Sequence, residues 1–124
     1  GTNDIAGNTG EIGLAEIRDN IEEMAQMASK NQIQVILCSV LPAFDYPWRG
    51  GRRPDEKIPA LNQLIRELAE EQNLYYLDFF TVMADDRKGL PKDLAEDGVH
   101  PTPKGYAVIR NLTLETFKEL KLIP

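Results

Sequence analysis

The sequence predicts an α/β protein, with a parallel sheet covered by helices on both faces. Three observations predict it. Apolar residues recur at helical spacing in an early, a middle and a late segment. A near-continuous apolar run rich in β-branched residues separates the first two. A second, shorter apolar run separates the middle helix from the last. Strands that alternate with helices are joined by right-handed crossovers, which set the strands parallel and the helices in outer layers.

Residues 5–12 read as a loop with two glycines. Leu14, Ile17, Ile21, Met24 and Ala28 then alternate spacings of three and four, the core-facing stripe of a helix ending near Asn31. Residues 33–41 have the composition of a central strand, and Pro42 stops it. Residues 42–54 form a long loop holding Trp48, Arg49, Arg52 and Arg53. A helix over about 55–72 carries Ile58, Leu61, Leu64, Ile65 and Leu68 on one side. A short strand follows at 74–78, then a helical turn in 79–86 and a loop over 87–99. Thr102 caps the last helix, Pro103 suits its first turn, and Tyr106, Ile109, Leu112 and Leu120 face a core. Two strands are too few to stand alone. Strand 33–41 is expected to find its other neighbour in a missing N-terminal segment or in a second copy of the chain.

Fourteen basic against twenty acidic side chains give a net charge of −6, which argues against a nucleic-acid partner. No run approaches the ~20 apolar residues of a membrane span, and no leader-like segment is visible, although the chain opens inside a motif rather than on Met. A single cysteine excludes an internal disulfide; Cys38, inside the apolar run, reads as a buried, inert thiol. One histidine and one remote cysteine offer no clustered spacing for a metal, and nothing calls for a cofactor.

The chemistry sits at the two ends. Gly1-Thr2-Asn3-Asp4 would lie at the C-terminal end of a strand, where functional groups of open α/β sheets gather. There Asn3 can aim its carboxamide at a developing oxyanion; the same four residues also read as a plain turn. In Asp97-Gly98-Val99-His100-Pro101, the aspartate can hold one imidazole nitrogen and leave the other free as a base. That pair also reads as a surface histidine beside an acid. A nucleophile is missing: Ser29 lies at a helix end and Ser39 inside a strand, neither on a strand-turn-helix elbow.

Together the two pieces resemble conserved blocks of the SGNH (GDSL-like) hydrolases, the lipase/acylhydrolase family. Gly1-Thr-Asn-Asp4 is similar to the third block, and Asp97-Gly-Val-His-Pro101, followed by Gly105-Tyr106, to the last. Roughly 95 residues separate Asn3 from His100, and residues 35–42 and 77–78 resemble the intervening strands. The resemblance implies a three-layer α/β/α flavodoxin-like sandwich of five parallel strands. Residues 1–124 would be the C-terminal portion of one such domain, its N-terminal strands and Gly-Asp-Ser nucleophile block lying elsewhere. It implies a serine esterase acting on O-acetyl or short acyl groups, with carbohydrate esters favoured. His100 would be the base, Asp97 its orienting acid and Asn3 an oxyanion-hole donor, with Gly1 and Asp4 as structural support. By its place after strand 33–41, on the expected active-site side, the loop with Trp48 and Arg49 reads as a substrate loop for a sugar or anionic group, or as an ordinary mobile loop. The chain alone would be inactive, and secretion or the periplasm is favoured because many members are exported. The alternative is a non-catalytic flavodoxin-like binding or interaction module whose end motifs are only turns.

Overall fold

The alternation of side chains along two short strands decides how the molecule is layered. The computed structural model describes residues 1–124. Strand β1 (Ile36–Cys38) pairs in parallel with β2 (Tyr75–Leu77), setting Ile36 opposite Tyr75, Leu37 opposite Tyr76 and Cys38 opposite Leu77. Leu37 and Tyr76 point into one core; Ile36, Tyr75 and Leu77 point into the other. The first core is closed by α1 (Thr2–Ile5), α2 (Leu14–Lys30) and α3 (Pro54–Glu71), through Ile5, Ile17, Ala25, Ile58, Leu61, Ile65 and Leu68. The second is closed by α4 (Phe79–Met83) and α5 (Pro103–Glu119), through Phe79, Met83, Val108, Ile109 and Leu112. The result is the expected α/β/α sandwich around a parallel sheet.

Local chemistry explains where the helices start. Asp78 caps α4 by accepting from the Thr81 amide at 3.0 Å. Thr102 caps α5 by accepting from the Gly105 amide at 3.2 Å, with Pro103 in the first turn. Gly105 is sterically required, because a Cβ there would stand 2.4 Å from the Leu94 carbonyl oxygen. This close approach seats the start of α5 on the loop that carries the candidate site.

Three expectations change. The strand of residues 33–41 contracts to Ile36–Cys38, because ladder partners exist only along β2 and the other edge of β1 is unpaired. Cys38 is exposed rather than buried, since a strand with one neighbour is open on its other flank. Desolvation nevertheless pushes its thiol pKa up, so it stays protonated at neutral pH. In α2 the buried stripe runs through Ala25 (5% exposed) instead of Met24 (62%), a shift of one position that a 3.6-residue repeat allows. In α5, Tyr106 is 61% exposed, and the core side starts instead at Gly105 and Val108.

Candidate active site

The Asp97–His100 turn is built almost entirely from its own residues. One Asp97 carboxylate oxygen accepts from the Val99 and His100 amides at 2.9 and 2.8 Å. The other lies 2.6 Å from His100 Nδ1. Gly98, at φ +79°, supplies the left-handed residue that folds the chain beneath that carboxylate. The His100 amide, then the His100 ring and the Val99 amide, hold the Asp97 carboxyl down to about 2 from its usual 3.8. An ionised carboxylate only accepts hydrogen bonds, so it selects the tautomer with hydrogen on Nδ1 and leaves Nε2 as the basic nitrogen. The His100 side chain is 74% exposed, so Nε2 is open to a reactant. Val99, buried in the first core, pins the turn from within. Thr102 pins its far side by donating to the Asp93 carbonyl at 2.8 Å.

Asn3 lies in α1, next to a residue pair at the C-terminal end of β1. A Cβ on Gly1 would stand 3.5 Å from Val40 Cγ2. Asn62, reaching from α3, holds the Val40 backbone at both ends: it accepts from the amide at 2.7 Å and donates to the carbonyl at 3.0 Å. The Asn3 side-chain oxygen accepts from Asn8 Nδ2 at 3.1 Å. That bond commits the oxygen and leaves the Asn3 NH₂ group free to donate. Asp4 accepts from the Gly1 nitrogen, as an acidic third residue of a helix does.

A chain of contacts joins the two pieces. The Tyr46 hydroxyl is 2.8 Å from Thr2 Oγ1, in the residue before Asn3. The Tyr46 and Trp48 rings lie 5.4 Å apart, and the Trp48 and His100 rings 5.7 Å apart. Arg49 Nη1 donates to the Gly7 carbonyl at 2.7 Å, and Arg52 pairs with Glu11 at 2.5 Å. These guanidiniums clamp the β1–α3 loop to the N-terminal segment, while Arg53 pairs with Asp55 and Glu56 beside it. Gly1, Asn3, Trp48, Arg49, Asp97 and His100 thus gather at one end of the sheet. A cleft of about 370 Å³ lies beside the turn, lined by Glu96, Asp97, His100, Pro101, Thr102 and Pro103, and by no residue of the N-terminal segment or of the Trp48 loop.

Neither serine fits as a nucleophile. Ser29 lines a groove with Gln32, Asn73 and Leu74, which precede the strands and so lie at the opposite end of the sheet. Ser39 is 6% exposed, and its hydroxyl accepts from the Phe80 amide at 2.8 Å. No three His, Cys, Asp or Glu side chains are grouped to hold a metal ion. Three supporting residues, Tyr46, Asn8 and Asn62, were not legible as such beforehand. Only Asn62 carried a signal: a polar residue one position past Leu61 on the core face of a helix needs a buried partner.

The sequence matches the GDSL-like lipase/acylhydrolase family over residues 1–108. The chain belongs to this family. A GDSL-like lipase from Bacteroides thetaiotaomicron is similar at a TM-score of 0.91 and 36% identity, over 97% of this chain and 60% of its own. A Bacteroides fragilis protein described as an acylhydrolase is similar at 0.91 and 34%, over 97% and 59%. An acetylxylan esterase from Geobacillus stearothermophilus shares the fold at 0.68 and 20%, over 93% and 55%. No protein of curated function matches the chain. The chain therefore spans about 60% of the length of its family relatives of known structure.

Proposed function

We propose that this chain carries the acid-base and oxyanion half of a serine esterase whose nucleophilic hydroxyl comes from polypeptide outside residues 1–124. The observation that supports this most is the dyad itself: an exposed imidazole held at Nδ1, 2.6 Å from an ionised carboxylate. In the reaction, Nε2 of His100 takes the proton of a serine hydroxyl as its oxygen attacks the ester carbonyl. The carbonyl oxygen gains the negative charge, and the Asn3 NH₂ donates to it. The imidazolium, stabilised by Asp97, then gives its proton to the departing alcohol. Water repeats the cycle on the acyl-enzyme and frees the acid. Residues 1–124 contain no serine able to attack, so we infer that they do not turn over alone.

We propose O-acetyl or short acyl groups, borne on carbohydrate, as the substrate class. Trp48 is 47% exposed beside His100, and a flat indole suits a sugar ring. Arg49 would act in that loop by holding it to Gly7. The unpaired edge of β1 suits a strand from the segment that carries the serine, or from a second copy.

The test is hydrolysis of an activated acetyl ester by the full-length protein. Wild type is expected to turn over and to be captured by a fluorophosphonate. His100→Ala is expected to lose at least about 10³-fold in kcat. Full activity in His100→Ala would refute the assignment.

A further inference from the structure

Tyr46 has no part in the reaction just described, yet it is wholly buried with a hydroxyl that must be satisfied. Thr2 satisfies it twice. The two hydroxyl oxygens are 2.8 Å apart, and the phenol donates to the Thr2 carbonyl at 3.2 Å. Desolvation raises the phenol pKa, so the group stays a neutral donor. The Tyr46 carbonyl accepts from the Arg49 amide at 2.9 Å, which closes the turn that presents Trp48. The Trp48 ring is tilted 32° to Tyr46 and 35° to His100, with centroids 5.4 and 5.7 Å away. Offset aromatic contacts of this kind fix orientation as well as distance. Asp97 fixes where Nδ1 points, but one hydrogen bond leaves the imidazole free to tilt about it. The indole face limits that tilt.

We propose that Tyr46 is a positioning residue that acts through Trp48 on one side and Thr2 on the other. It sets the separation between the His100 imidazole and the Asn3 carboxamide. The inference rests on the reading that these two groups serve one reaction. Its weight comes from geometry: misplacing a reacting group by 1 Å costs on the order of 10²-fold in rate.

Two measurements test it. In the full-length protein, Tyr46→Phe is expected to lower kcat on an activated acetyl ester about tenfold, with KM within about twofold. Tyr75→Phe removes a phenol bonded to Glu119 at the other end of the sheet and is expected to change neither. The second measurement needs no turnover. In a crystal structure of the full-length Tyr46→Phe variant, the Trp48 and His100 rings, 5.7 Å apart between centroids in the parent, are expected to move apart by about 1 Å. If Tyr46→Phe does not fold, Thr2→Val removes the same hydroxyl contact with the same expectations. Wild-type kcat in the variant, or Trp48 and His100 rings at the parent's separation, overturns the proposal. A wild-type protein that cleaves no ester would end the esterase reading alone, and the ring positions would still decide the role of Tyr46.

Discussion

The His100 turn and the Asn3 segment reach the same end of the sheet by different means. Around His100, the bonds made by the Asp97 carboxylate span only two or three residues, to the Val99 amide, the His100 amide and the His100 ring. Around Asn3, the helical turn and Asn8 supply local bonds, but the segment is tied to the rest of the molecule by Tyr46 on Thr2 and Arg49 on Gly7, about forty residues away. A turn with internal partners keeps its form wherever it is placed. A segment held from a distance depends on the loop that holds it. The backbone of the Asp97–His100 turn should therefore be robust, and the Asn3 segment, like the tilt of the His100 ring against Trp48, sensitive to the loop that carries Tyr46.

The largest expected effect strikes the robust half. In the full-length protein, Asp97→Asn should cost about 10³- to 10⁴-fold in kcat, because the amide can stabilise the wrong imidazole tautomer. The turn should stay folded, since Asn still accepts from the Val99 and His100 amides; unchanged crystallographic geometry would sharpen the contrast. Asn3→Ala should cost about 10²- to 10³-fold in kcat by removing an oxyanion donor. Asn8→Ala leaves the carboxamide in place but frees it to rotate, so kinetics should show a smaller loss in kcat. Equal losses for Asn8→Ala and Asn3→Ala would mean that the carboxamide works only when fixed.

Smaller effects concern stability. Gly98→Ala forces a Cβ into a left-handed residue and should cost about 1–2 kcal/mol by chemical denaturation. A negligible change would mean that the turn is less tightly set than its hydrogen bonds indicate. The Asp97 carboxyl lies at about 2 when folded, below its usual 3.8. The stability linked to that shift is present above pH ~4 and is lost as pH falls towards 2. Asp97→Asn should flatten that part of the denaturation-midpoint profile, by a modest amount because the carboxylate is exposed.

The same contrast explains what was legible in the sequence. Asp97, His100, Gly98 and the Thr102-Pro103 start of α5 follow from chemistry within a few residues, so the turn and its helix were readable. The order of helices and strands was readable because periodicity is local. The length of β1 was not, since a strand extends only as far as its neighbours do, and pairing here ends after three positions. Nor was the choice of Ala25 over Met24, which packing across the α2–α3 contact decides. Nothing in the sequence singles out Tyr46, because its partner Thr2 is distant in sequence.

The central claim is that the Asn3 carboxamide and the His100 imidazole serve one reacting centre. A crystal structure of the full-length protein labelled with a phosphonate tests it most directly. The account predicts a serine adduct with a phosphonyl oxygen within hydrogen-bonding distance of Asn3 Nδ2, and with His100 Nε2 within reach of the serine oxygen. An adduct that faces neither group would contradict it.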